Sequence, residues 1–131
     1  MIDINSDVGE FPHLLEDGTY YQLMDYITSI NIACGGHAGD YNFMKTMIRM
    51  GIEKNVNIGA HPGFPDKENF GRKLMVMNPS DIKDTIMKQI ENLFEIAVAE
   101  KTKLKHVKPV SYTHLRAHET EADLVCRLLL E

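Results

Sequence analysis

Short segments of alternating or continuous apolar residues recur along the chain, and each has the length of a β-strand. Residues 2–5 alternate between apolar and polar positions, residues 29–34 and 56–60 are largely apolar, and residues 104–108 alternate again. Runs of these two kinds, bounded by turn-forming residues, are typical of strands. The pattern therefore predicts four strands.

Helical signals lie between these strands. Asp40 is suited to cap a helix that runs to about residue 54, and Asn78, followed by a proline, is suited to begin a longer one. In both segments apolar residues recur at spacings of three and four, which places them on one helix face. A short helix is predicted over residues 20–26, and segments 6–19 and 63–77 are predicted as loops.

The alternation of strands with helices is typical of an α/β protein with parallel strands. Four strands are too few to close a barrel, which takes about eight. We therefore expect residues 1–109 to form either an open parallel sheet or the N-terminal half of a (β/α) TIM-like barrel.

Composition narrows the class of protein. The chain has 131 residues, of which 44% are hydrophobic and 25% charged, as expected of one globular domain or part of one. A net charge of −5 argues against nucleic-acid binding, which needs a basic surface. No apolar run approaches the ~20 residues that span a bilayer, the N-terminus has no signal-peptide pattern, and two cysteines make no disulfide framework. We therefore expect a soluble cytoplasmic protein without membrane or nucleic-acid partners.

Residues 110–131 depart from the α/β pattern. Residues 110–120 match the translation of a common transposase-type DNA sequencing adapter, and residues 123–131 match the translation of its flow-cell end. We therefore predict that this tail is adapter-derived, the alternative being a natural amphipathic helix, and we exclude it from the fold. His114, His118 and Cys126 are accordingly not site candidates.

Chemically reactive residues collect after the predicted strands. In parallel α/β folds the carboxyl ends of the strands share one edge, where ligand sites form. His37 and His61 stand out because both lie among small residues, which permit a close approach of the backbone to a ligand. The other candidates at this edge are Asp3, Asn5, Asp7, Glu10, Cys34, Asp40, His106 and Lys108.

Several of these candidates also have purely structural interpretations. Asp40 is equally suited to cap a helix, and Cys34 is more typical of a small buried apolar residue than of a nucleophile. His106 suits a hydrogen-bonded core position, and Lys108 suits the surface.

An aspartate with two histidines suits two kinds of chemistry. Asp7, His37 and His61 are candidate ligands of a divalent metal that would activate water. The same residues suit metal-free acid–base catalysis at a carbonyl. The spacing does not distinguish the two, and the sequence contains no HExxH, CxxC, Walker A or GxGxxG motif.

Five motifs, in order, resemble the LamB/YcsF family. They are DINSDVGE at residues 3–10, SINIACGGHAGD at 29–40, GAHPGFPD at 59–66, FGR at 70–72 and HVKP at 106–109. The resemblance departs at Val110, where the family usually has a histidine, and the second half of the family pattern does not follow.

The resemblance implies a (β/α) barrel similar to the glycoside hydrolase/deacetylase enzymes. It also implies one component of a bacterial 5-oxoprolinase, which works with subunits B and C on 5-oxo-L-proline. The implied reaction opens this lactam to L-glutamate and is driven by ATP, with Mg²⁺ as its accompanying ion. Because the later strands of the barrel are missing from the pattern, we expect the polypeptide as given to be inactive.

Site roles follow from the resemblance as hypotheses. Arg72 and Lys108 suit the carboxylate of the substrate or a phosphate. The implied catalytic residues are Asp7, His37, His61 and Lys108, and the implied substrate-binding residues are Asn5, Glu10, Asn31, Asp40 and Arg72.

Two other functions fit the same residues. One is a metal-dependent deacetylase or carbohydrate hydrolase on a similar barrel, which would hold stoichiometric zinc and need no ATP. The other is a non-catalytic protein that binds 5-oxoproline and delivers it to its partners. Replacement of His37 or His61 by alanine would then weaken binding and spare turnover.

Overall fold

A computed structural model describes residues 2–73 and 75–110 of the chain. Its strands are β1 (Asn5–Val8), β2 (Ser29–Ala33), β3 (Asn57–His61) and β4 (His106–Val107). Its helices are α1 (Pro12–Glu16), α2 (Thr19–Leu23), α3 (Tyr41–Glu53) and α4 (Pro79–Ala99). The described part of the chain is an α/β unit, as predicted.

The four strands form one parallel sheet in the order β1-β2-β3-β4. The register pairs Asp7 with Asn31, and Ala33 with His61. Because parallel strands all point the same way, the segments that follow them emerge at one edge of the sheet. Residues far apart in the sequence are thereby brought together at that edge.

One face of the sheet packs against the long helices. At Gly51 of α3 the helix lies so close to the sheet that an added Cβ would stand 2.9 Å from Ile30 Cδ1 and 3.1 Å from Ile58 Cγ1. The apolar stripe of α4 joins the same buried core, through residues such as Ile90 and Leu93. This burial of apolar area supplies the main free energy that holds the helices on the sheet.

The opposite face of the sheet carries a row of polar residues. The register aligns Asp7, Asn31, Gly59 and His106 across the four strands. The imidazole of His106 lies directly over Gly59, where any Cβ would collide with it. Glycine at this position therefore lets His106 reach Asn31.

The helix caps agree with the predictions. Asp40 Oδ1 accepts a hydrogen bond from Phe43 N at 2.8 Å, and Asn78 Oδ1 accepts one from Ser80 N at 2.9 Å. These side chains satisfy backbone donors that have no partner within the first turn. They fix the start of α3 and α4, and with them the loops that enter each helix.

The predicted bounds are wrong at the two outer strands and in the segment between β1 and β2, where α2 is Thr19–Leu23 and not residues 20–26. The first strand is not residues 2–5 but Asn5–Val8, and Ile2 and Ile4 are 81% and 52% exposed. Within the predicted loop, Pro12–Glu16 forms α1, which has no fully buried residue, although Leu14 and Leu15 pack against the core. The last strand is shorter than residues 104–108.

The predicted adapter-derived tail lies outside the described residues from residue 111 onward. Its first residue, Val110, is buried, and its backbone N–H donates to the carbonyl of Pro62 at 2.9 Å. Among the residues that the structure describes, no helix combines the length and apolar character needed to cross a membrane.

Candidate functional site

Five titratable side chains meet at the carboxyl edge of the sheet. β1 supplies Asp7, the turn after it supplies Glu10, and His61 ends β3. His37 lies in the glycine-rich loop after β2, and Lys108 follows β4. The fold thus brings together the four predicted catalytic residues and Glu10.

Asp7 is held by a cation and an amide. Lys108 Nζ donates to Asp7 Oδ1 at 2.9 Å, and Asn31 Nδ2 donates to the same oxygen at 3.0 Å. Partial burial raises the pKa of the Asp7 carboxyl, but the bonds from Lys108 and Asn31 and the attraction of His61 outweigh this effect, so the pKa lies below its ordinary value. Asp7 is therefore a carboxylate at neutral pH.

Glu10 lies between the two histidines. Its Oε1 is 2.8 Å from His37 Nε2 and 3.5 Å from His61 Nε2. One ligand atom from each of the three residues lies within 4.8 Å of the others. These residues form a candidate cation site whose carboxylate comes from Glu10, whereas the sequence suggested Asp7.

The backbone fixes the tautomer of His61. Its Nδ1 contacts the carbonyl oxygen of Lys108, which only accepts hydrogen bonds, so Nδ1 carries the proton. Nε2 then directs its lone pair toward Asp7 Oδ2 at 3.4 Å and Glu10 Oε1. Burial lowers the pKa of His61, and the carbonyl of Lys108 and the charge of Asp7 only partly oppose this effect. The lone pair of His61 Nε2 would otherwise face two negatively charged carboxylates. This arrangement therefore requires a cation or a transferable proton between Nε2 and the carboxylate oxygens.

His37 is 1% exposed and is enclosed by closely packed neighbours. An added Cβ would lie 2.8 Å from His37 Cβ at Gly71 and 2.9 Å from His37 Nδ1 at Gly63, and Phe70 contacts the ring edge-on. Nδ1 is buried without a hydrogen-bond partner among the described residues, while Nε2 faces Glu10. Because a buried N–H without a partner is rare, we assign the proton to Nε2, which donates to Glu10.

A cavity of about 110 Å³ opens beside these residues. Phe70 lines this cavity, and its ring stacks on that of Phe11 with centroids 5.3 Å apart. The guanidinium carbon of Arg72 lies 5.5 Å from the centroid of the Phe70 ring. The cavity therefore combines an aromatic side with positive charge and carboxylates. Its full lining is Asp7, Glu10, His61, Phe70, Arg72, Lys108 and Val110.

Asn31 is 1% exposed, and its amide is occupied by protein groups. Its Nδ2 donates to Asp7 and also to Asn5 Oδ1 at 2.8 Å, and its Oδ1 accepts from His106 Nε2 at 2.6 Å. The predicted substrate-binding residues Asn5 and Asn31 thus bond to each other, and Asn31 orients Asp7.

Like His37, Asn5, Asn31 and His106, three further candidates from the sequence do not line the cavity. Asp40 caps α3 and lines a separate groove between α3 and α4. Asp3 accepts a hydrogen bond from the Ser29 hydroxyl at 2.6 Å, at the start of β2. Cys34 is buried, and its thiol donates to the Ile32 carbonyl at 3.2 Å.

Sequence reasoning missed two residues that shape the site. Phe70 adopts φ = 57°, a conformation that few residues other than glycine adopt, and its only signal was the FGR motif. Gln89 is buried in α4 and bonds to the backbone of Gly63. Its signal was a polar residue within an apolar helical stripe, three positions after Ile86.

Fold and site define a class of protein: a parallel α/β protein with a compact carboxylate, histidine and lysine site at the carboxyl edge of its sheet. The sequence matches the LamB/YcsF family over residues 2–131. The chain belongs to that family.

Named relatives agree with this assignment. The chain is 45% identical over 108 residues to the A subunit of the 5-oxoprolinase of Pyrococcus abyssi, and the match covers 82% of this chain and 42% of the relative. The A subunit of the Bacillus licheniformis 5-oxoprolinase is 42% identical, with coverages of 82% and 43%. The crystal structure of a lactam utilization protein from Thermus thermophilus aligns with a TM-score of 0.87 at 31% identity, over 98% of this chain and 54% of that one. The chain thus spans about half or less of the length of these proteins.

Proposed function

We propose that the protein to which this chain belongs is the A subunit of a 5-oxoprolinase. The proposed enzyme, completed by subunits B and C, opens the lactam of 5-oxo-L-proline to L-glutamate and hydrolyses ATP. The observation that carries the proposal is the small cavity lined by Asp7, Glu10, His61, Arg72 and Lys108, in a chain whose relatives bear that name. Because ATP is the co-substrate, we place the reaction in the cytoplasm.

The cavity suits a small anionic ring. 5-Oxoproline carries a carboxylate and an amide carbonyl on a five-membered ring with apolar methylenes. Lys108 Nζ and the Arg72 guanidinium offer charge-assisted hydrogen bonds to the carboxylate. Phe70, stacked on Phe11, offers an apolar surface to the methylenes.

Ring opening requires an activated carbonyl and a proton for the departing nitrogen. ATP can activate the stable amide by phosphorylating its oxygen, and the net reaction consumes water and yields glutamate, ADP and phosphate. Two carboxylate–imidazole pairs can hold and move the protons: Asp7 with His61 at 3.4 Å, and Glu10 with His37 at 2.8 Å. Glutamate release then leaves the pairs ready for another cycle.

The chemistry of the donor set also fits a divalent cation. Glu10 Oε1 and the lone pair of His61 Nε2 would hold it, with His37 and Asp7 Oδ2 beside them. A cation in this position would satisfy an imidazole nitrogen that otherwise faces two carboxylates. When bound, it would polarise the substrate carbonyl as a Lewis acid.

Glutamate formation by the full-length protein, assembled with subunits B and C and supplied with 5-oxo-L-proline and ATP, tests the proposal. Lys108→Met removes a charged donor, so we expect kcat/KM to fall about 10- to 100-fold. Lys103→Met, the same change at an exposed lysine, is the matched control and should retain wild-type kcat/KM. A wild-type assembly that forms no glutamate, or a Lys108→Met variant equal to the control, would contradict the proposal.

The Glu10, His37 and His61 cluster favours a second candidate, a metal-dependent deacetylase or carbohydrate hydrolase. Metal analysis and hydrolysis assays without ATP distinguish the two. Stoichiometric zinc together with ATP-independent hydrolysis would support the second candidate. Full turnover in His37→Ala and His61→Ala, with weaker substrate binding, would instead indicate a non-catalytic binding protein.

A further inference from the structure

We propose that Gln89 is a positioning residue for both histidines of the site, an inference that rests on the function proposed above. Gln89 lies in α4, does not line the site cavity, and is 6% exposed. Its Nε2 donates to the carbonyl of Gly63 at 2.8 Å, and its Oε1 accepts from the N–H of Gly63 at 3.1 Å. One carboxamide thus satisfies both polar groups of one backbone residue.

The residue held by Gln89 is linked to both histidines. Gly63 follows His61 by two positions, so its placement sets the path of the chain as β3 ends. An added Cβ on Gly63 would lie 2.9 Å from His37 Nδ1 and 3.3 Å from His37 Cβ. A shift of Gly63 would therefore displace the rings of both His37 and His61.

The same carboxamide supports the loop that carries His37. Gly36 packs directly on it, because an added Cβ there would lie 2.6 Å from Gln89 Nε2 and 2.7 Å from Gln89 Cδ. Gln89 therefore contacts the residue before His37 as well as the residue two after His61.

An apolar side chain at position 89 would extend the apolar stripe of α4. It would, however, leave the N–H and C=O of Gly63 without these partners, and buried backbone groups require partners. The presence of a glutamine at this position is thus explained by its hydrogen bonds to the turn after β3 and not by the packing of α4.

The kinetic test compares Gln89→Met with Ile82→Val in the full-length protein assembled with its partner subunits. Methionine preserves the volume of glutamine and loses both hydrogen bonds, whereas Ile82, which is 5% exposed in the same helix, reports on packing alone. We expect Gln89→Met to lower kcat about 10- to 100-fold and to change the KM for 5-oxoproline by less than about 3-fold. We expect Ile82→Val to leave both constants unchanged. A wild-type kcat in Gln89→Met overturns the proposal.

Gln89→Glu gives a second readout. A protonated carboxyl can donate to the Gly63 carbonyl and accept from its N–H as the amide does, whereas an ionised carboxylate cannot donate. Turnover relative to the wild type should therefore rise as the pH is lowered from about 8 to about 6, and a flat ratio overturns the proposal. Gln89 lines the groove between α3 and α4. The charged residues that line this groove with it, and that would act on a carboxyl group at position 89, are Asp40, Lys67 and Glu95.

Crystal structures of the wild-type and Gln89→Met proteins separate this inference from the proposed function. A wild-type assembly that forms no glutamate contradicts the proposed function, but displacement of both imidazoles by about 1 Å in the variant would still support positioning by Gln89. Rings that superimpose in the two structures overturn the positioning role, even in an active enzyme.

Discussion

His106 is half-buried on the polar face of the sheet, where its Nε2 donates to Asn31. Burial lowers the pKa of His106 from the ordinary value of a histidine, and the attraction of Asp3 and a hydrogen bond to the backbone of Ile30 oppose this only in part. The unfolded chain therefore takes up a proton at a higher pH than the folded protein does. The contribution to stability is complete above about pH 6.5 and decreases as the pH falls through and below that value.

We predict that His106→Gln flattens this pH dependence in the full-length protein. Glutamine keeps an N–H donor for Asn31 and removes the titrating group. Urea unfolding between about pH 7.5 and about pH 5.5 measures the free energy of unfolding, which should fall less in the variant than in the wild type. The pKa of Asp7 is lowered from the ordinary acidic value of an aspartate, so Asp7 titrates outside this range. An equal fall in the free energy of unfolding of both proteins would contradict the assignment of this pH dependence to His106.

Asn31 links Asp7 to His106 through one buried amide, so its loss should affect stability and geometry together. We predict that Asn31→Leu lowers the free energy of unfolding by roughly 1–3 kcal/mol, because it leaves buried polar partners unpaired. Asn57→Leu, the same change at an exposed position of β3, is the matched control and should cost much less. The midpoints of urea unfolding measure the stability of both variants. Equal losses of stability would contradict the conclusion that the Asn31 amide stabilises the fold through its buried hydrogen bonds.

At the scale of secondary-structure elements, the role of Asp40 is to begin α3. Its side chain caps α3 and does not line the site cavity. We predict that Asp40→Ala lowers the free energy of unfolding by about 1 kcal/mol and leaves the KM for 5-oxoproline unchanged. Asp40→Asn keeps the capping oxygen and removes the charge, so it should retain wild-type stability. An increase in KM in both variants would instead support a role in substrate binding.

The elements that sequence patterns predicted best are those whose apolar residues face the core. β2, α3, β3 and α4 carry clear apolar runs or stripes and lie close to their predicted positions. β1 was misplaced because its polar residues, Asn5 and Asp7, face the site, so the strand lacks the apolar alternation that marks a half-buried strand. The short helix α1 has only five residues, so its core-packed leucines, Leu14 and Leu15, cannot repeat at helical spacing and gave no periodic signal.

The site could be predicted only as far as chain topology determines it. The parallel order of strands places Asp7, His37, His61 and Lys108 at one edge, and their positions after the strands are visible in the sequence. Side-chain partners depend on three-dimensional packing. The position of Glu10 between the histidines and the contact of Gln89 with Gly63 therefore required the structure.

At the scale of the whole molecule, the chain covers 42% of its Pyrococcus abyssi relative and 54% of the aligned lactam utilization protein. Within the described residues, β1 and β4 are the outer strands of the sheet, and each pairs with one neighbour. Outer strands present backbone groups that can pair with other chains. Exposed apolar side chains, among them Ile2, Val76 and Val98, add to the surface available for association.

We predict that the 131-residue polypeptide, expressed alone, self-associates and forms no glutamate when mixed with subunits B and C, 5-oxo-L-proline and ATP. A full-length relative, treated in the same way, is the control and should be a defined species with activity. Size-exclusion chromatography with light scattering measures the mass of each protein, and glutamate formation measures turnover. A monomeric, active 131-residue chain would show that these four strands suffice for a complete site. The prediction that activity requires further strands would then be wrong.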